Sequence, residues 1–88
     1  MSVQEFCFVS VNEFSDRLRR ILADYEAKNR LPQRIMEIIA YLVREYDECP
    51  DMRHGPFEQI RLTVNSWDHG DRPDVDALET IAVLARQF

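Results

Sequence analysis

Residues 31–46 read LPQRIMEIIAYLVREY, and the rest of the chain has to be arranged around them. Leu31, Ile35, Ile38, Leu42 and Tyr46 recur at steps of three and four, which lines them along one face of a helix. Met36, Ile39, Ala40 and Val43 widen that face until little besides Gln33, Arg34, Glu37, Arg44 and Glu45 is left for water. A helix apolar over so much of its circumference has neighbours on several sides. Pro32 suits a first helical position, where its missing N–H is no loss and its φ is already set. The stretch predicts the central helix of a small bundle, with Ile38 and Leu42 at mid-helix on its most apolar face.

Upstream, Phe14, Leu18, Ile21, Leu22 and Tyr25 mark one face of another helix. Ser10 and Glu13 form a capping-box pattern that sets its expected start. Residues 3–9 are ambiguous: Phe6, Cys7, Phe8 and Val9 suit a strand, whereas Ser2 with Glu5 suits the cap of a short helix. An irregular or short helical segment covering one side of the bundle fits better, since only Ile60 to Val64 offers a strand partner. Ala27 to Arg30 is a short polar connection, so the two helices should be antiparallel neighbours.

Downstream, DECPDMRHGP (47–56) is a loop by its prolines, glycine and charge. A third helix is expected from Pro56, with Phe57, Ile60, Val64 and Trp67 at helical spacing, although Ile60 to Val64 also alternates as a strand would. Gly70 is placed for a left-handed C-terminal cap. Asp74 can cap a last helix, which Leu78, Ile81, Ala82, Ala85 and Phe88 would bury. The expected architecture is all-α: a four-helix bundle in a single domain over residues 1–88.

The totals narrow the function. The chain has 88 residues, a formal charge of −5 and 45% hydrophobic residues. That charge argues against loose binding to nucleic acid, which needs clustered Lys and Arg, and it suits a basic protein partner. No apolar run is long enough to span a bilayer, and no basic region followed by an apolar one suggests a secretory signal. Cys7 and Cys49 are expected to stay reduced, with cytoplasm as the default compartment. Charge is uneven along the chain, with basic residues gathered early and acids at 45–51 and 68–79. The molecule should therefore be electrostatically two-faced.

Residues for chemistry are sparse. Gly55 and Gly70 alone make no phosphate-binding loop, and Ser10, Ser15 and Ser66 have no nucleophile context. Cys49, His54 and His69, with Cys7, lack the paired, tight spacing of zinc ligands, so neither a metal nor a cofactor is expected. No catalytic residue is expected either, because so small a domain encloses little volume. Trp67 reads first as core and second as an interface anchor. Glu45, Asp47, Glu48 and Asp51 stand out. Acids at a helix C-terminus oppose its macrodipole, so four of them there hint at an external use. The turn after Tyr46 should present at least three of them to solvent.

Two families are similar in part. Glu13-Phe14-Ser15-Asp16-Arg17, Leu31 with Ile35, Tyr46-Asp47-Glu48-Cys49-Pro50-Asp51 with Arg53, and Glu58-Gln59-Ile60-Arg61 with Val64 follow in an order that resembles the colicin D immunity family. Those are small helical proteins that block a tRNA-cleaving toxin. The family's first helix is longer than the one expected here, and the helix after Asp74 has no obvious counterpart in it. This resemblance implies a non-enzymatic inhibitor of a basic nuclease-like partner, contacting it through Glu45, Tyr46, Asp47, Glu48 and Asp51. Separately, Thr63-Val64-Asn65-Ser66-Trp67-Asp68-His69-Gly70 resembles the end of the reading helix of lambda-repressor-like helix-turn-helix domains, with Leu78, Ile81 and Ala82 in the following helix. That alternative implies a DNA-binding regulator touching bases through Arg61 and Asn65. A helical scaffold or homodimerisation module is the third option.

Overall fold

A computed structural model describes residues 3–47 and 55–88, with side chains from residue 12 onward. Four helices follow one another: α1 (Val3–Glu26), α2 (Pro32–Tyr46), α3 (Gly55–Asp68) and α4 (Asp74–Ala85). The described residues contain no strand, so the strand readings of residues 3–9 and 60–64 fall away. The protein is an all-α four-helix bundle.

The first helix is longer than expected. It starts at Val3, and Ser10 lies within it instead of capping it. Residues 3–26 contain neither Gly nor Pro, so nothing halts the helix upstream of Ser10, and an internal Ser costs little. Chain reversal after Glu26 is made by Lys28, whose φ is +59°. The Lys28 amide donates to the Tyr25 carbonyl, and the Asn29 amide donates to that of Asp24. This is a Schellman closure with a lysine where glycine is preferred. The left-handed conformation costs a side-chain-bearing residue about 1 kcal/mol. Lys28→Gly is therefore expected to raise stability by about 0.5–1 kcal/mol in urea melts, the gain offset in part by the looser unfolded chain.

After α3 the same closure is built on Gly70, at φ +83°. Gly70 donates to the Trp67 carbonyl and Asp71 to that of Ser66. α4 begins differently from the expectation. Its N-cap is Pro73, without a side-chain cap, because the Asp74 carboxylate is engaged elsewhere. Trp67 Nε1 donates to Asp74 Oδ1 at 2.5 Å across the turn. Trp67 is half-buried, packed against the core with its polar edge tied to α4. Asp74 and Asp76 still complement the positive end of α4.

Both α2 and α4 pack against all three other helices, while α1 and α3 occupy opposite corners. The central position expected of α2 is thus shared with α4. α2 buries Ile35, Met36, Ile39, Ala40, Leu42, Val43 and Tyr46. Two expected core positions move outward. Leu31 is 75% exposed, because it is the extended N-cap residue and lies outside the helical periodicity. Ile38 is half-buried, at the edge between α1 and solvent.

Phe14 joins the ends of the bundle. It is fully buried, and its ring meets Tyr46 of α2 at 5.6 Å, Phe57 of α3 at 5.0 Å and Phe88 beyond α4 at 5.8 Å. The first two contacts are edge-to-face, the arrangement that ring quadrupoles favour. Among the described residues no helix is long and apolar enough to cross a membrane.

Candidate functional site

The last turn of α2 carries the described part of the acidic cluster: Glu45, Tyr46 and Asp47. Glu48 and Asp51 lie outside the described residues. On one flank, Arg17 of α1 donates from Nη1 to Glu45 Oε2 at 2.8 Å and to the Tyr46 hydroxyl at 3.2 Å. Glu13, one turn earlier on α1, comes within 4.0 Å of the same nitrogen. The hydrogen bonds that Arg17 donates to Tyr46 and then to Glu45 raise its pKa further above the ordinary value, so the guanidinium is permanently charged.

Tyr46 is buried, and burial pushes its phenol above the usual tyrosine value; Arg17 pulls the other way and Glu13 adds to the rise. The hydroxyl stays protonated at neutral pH and has no capacity as a base there.

On the other flank, Arg61 of α3 grips two carboxylates. Its Nε and Nη2 both donate to Glu58, one turn back on the same helix. Asp47 Oδ1 lies 3.9 Å from the Arg61 Nε. The hydrogen bond to Glu58 is the main cause of the raised Arg61 pKa, with Asp47 contributing through its charge. Arg44 reaches Asp68 of α3 at 3.9 Å. Among the described residues around this end of α2, three arginines are shared among five carboxylates: Glu13, Glu45, Asp47, Glu58 and Asp68.

This changes the expected electrostatics. The acids at the end of α2 do not simply face water, because arginines distant in sequence reach Glu45 and Asp47. The separation of charge along the chain is not a separation in space here. Glu45 and Asp47 nevertheless remain more than one-third exposed. They are carboxylates with fixed positions, able to accept hydrogen bonds from an incoming basic group.

Sequence reasoning does not single out Arg17, Glu13 or Glu58 for this site. Glu13 with Arg17 and Glu58 with Arg61 stand at spacings that pair on a helix, a weak but available signal. The cross-helix contact of Arg17 with Glu45 has none. Arg61 and Asn65, the candidate base-contacting pair, diverge: Asn65 is exposed, while Arg61 is held against Glu58 and Asp47. His69 places Nδ1 2.7 Å from the Asn65 carbonyl. Cys49 and His54 lie outside the described residues, as does the side chain of Cys7. Among the described residues no group of three His, Cys, Asp or Glu could hold a metal ion.

No protein-family model matches this chain, and no curated protein or solved structure matches it either.

Proposed function

We propose that this is a non-enzymatic inhibitor or immunity-type protein, acting in the cytoplasm, that binds a basic nuclease-like partner through the end of α2. The observation that carries the reading is the sharing of three arginines among five carboxylates. Arg17 holds Glu45 and Arg61 holds Glu58 through hydrogen bonds, and among the described residues the group keeps an excess of negative charge. Fixed carboxylates lose little freedom when a partner's cations reach them, so less of the interaction is spent on ordering side chains. Excess negative charge speeds encounter with a basic surface. Glu48 and Asp51 follow in the chain and add two further acids to this part of the sequence.

The test is the variant Glu45→Gln, Asp47→Asn, Glu48→Gln, Asp51→Asn against a basic partner recovered by pull-down from the native host. Loss of the Arg17 and Arg61 contacts should cost about 1 kcal/mol of stability, as exposed pairs do. Association should slow several-fold at low salt and lose most of its salt dependence. An on-rate equal to that of the wild type at low salt would remove this face as the binding site.

The repressor-like alternative draws on the turn at Gly70 and on exposed Asn65. It has less support, because Arg61 is already occupied and residues 47–54 separate α2 from α3 where a three- or four-residue turn would be needed. Failure to shift DNA from its own promoter at low salt would dispose of it.

A further inference from the structure

Besides the acidic end, α2 carries a second outward feature, a stripe that the bundle leaves open. Arg34, Ile38, Tyr41 and Glu45 recur at steps of four and three, the spacing of a helix–helix seam. Tyr41 is 68% exposed. Beside the stripe runs a groove of about 260 Å³ between α1 and α2, with Ile21, Ile38 and Leu42 among its lining and Arg17, Arg34 and Glu37 also bordering it.

The order of charges along the stripe points to an occupant. Arg34 stands near one end and Glu45 near the other, with Ile38 and Tyr41 between them. Both pairs are centred on the same point of the helix, midway between Ile39 and Ala40. If a second α2 is laid antiparallel about that point, Arg34 faces Glu45 of the other copy, Ile38 faces Tyr41, and both relations are reciprocal. A self-complementary surface is what a two-fold dimer requires.

We propose that a second copy of this chain docks on the stripe, with its α2 antiparallel across a two-fold axis between Ile38 and Tyr41. Each Tyr41 covers the other copy's groove at Ile38. An aromatic ring in an apolar groove at the centre of a contact is the usual form of an interface hot spot. Each Glu45 stands between its own Arg17, 2.8 Å away, and the second copy's Arg34. Glu37, 3.4 Å from Arg34 on the same helix, completes a ring of alternating charge around the apolar centre. The dimer does not depend on the inhibitor reading, and its test needs no foreign partner.

The experiment is sedimentation equilibrium on the full chain up to millimolar concentration, with thermal melts to establish that each variant is folded. The wild type is expected to dimerise. Tyr41→Ala should weaken the dimer at least about tenfold. Arg34→Glu and Glu45→Arg should each weaken it to a similar extent, by placing like charges opposite one another. Mixing those two single variants should restore a dimer, because the acid introduced in one copy then faces the base introduced in the other. A wild type that stays monomeric at millimolar concentration overturns the proposal and leaves the groove to a helix of another protein. A dimer indifferent to the single charge reversals, or folded variants that fail to pair when mixed, overturns it as well.

Discussion

Phe14→Ala is expected to lower the stability of the bundle by about 3–5 kcal/mol in denaturant titrations. A chain of 88 residues commands only about 4–13 kcal/mol in total, so a large share of its margin would go. The size follows from position. Phe14 is fully buried and touches rings contributed by α2, by α3 and by the segment after α4. Tyr46 and Phe57 cannot readily move in to fill the space, because each is held by its own helix. A loss below about 1 kcal/mol would mean that the aromatic cluster is not the closing contact of the core. Ile38→Ala makes the comparison, since Ile38 is half-buried beside an open groove, and its loss should be well below the roughly 2–5 kcal/mol of an interior isoleucine.

Arg61→Ala is expected to cost about 1–2 kcal/mol, more than truncation of an exposed arginine. The Arg61 side chain is 26% exposed and that of Glu58 24%, so the pair is only partly screened by solvent. Removing the guanidinium leaves the Glu58 and Asp47 carboxylates near one another without the cation they share. Arg34→Ala is the control: Arg34 is two-thirds exposed and should change stability by less than about 0.5 kcal/mol. The comparison also bears on function. An arginine kept free for DNA would be dispensable for folding, so equal effects at Arg61 and Arg34 would restore the base-contacting role.

The helix count and the connections are legible in the sequence because they rest on local signals. Pro32, the polar 27–30 segment and the turn at Gly70 each act over a few residues. The periodicity of 31–46 identifies α2 as central, and its wide apolar face carries that information. What the periodicity leaves open is which apolar residues lie deepest. Ile38 fits the repeat as well as Ile35 does, but burial depends on where α1, α3 and α4 sit, which no spacing within α2 encodes. The expected start of α1 is misplaced for a related reason. A capping box is a permission to begin, and it has no force when the preceding residues are themselves able to continue the helix.

At the candidate site, the acids can be picked out by their crowding, and Tyr46 by its place beside them. Their partners cannot. Arg17 stands 28 residues from Glu45, and only the antiparallel packing of α1 on α2 brings the two together. Asp74 shows the same limit on a shorter scale. As a residue type it suits a cap, yet the indole of Trp67, seven positions earlier, competes for its carboxylate and holds it.

The aromatic cluster around Phe14 also bears on the order in which the bundle assembles. Helix pairs adjacent in sequence, α1 with α2 and α3 with α4, need only short loops to meet and can form early. The contact of Phe14 with Tyr46 belongs to the first of these pairs, but its contacts with Phe57 and Phe88 join one pair to the other, and the last of them encloses nearly the whole sequence in one loop. Closing so large a loop is entropically the most expensive step, so these contacts belong to the late stages of folding. Interactions that form after the rate-limiting barrier leave the folding rate nearly unchanged and govern how fast the native state opens. The cluster thus acts as a latch: it sets the lifetime of the folded protein far more than the speed with which it is reached.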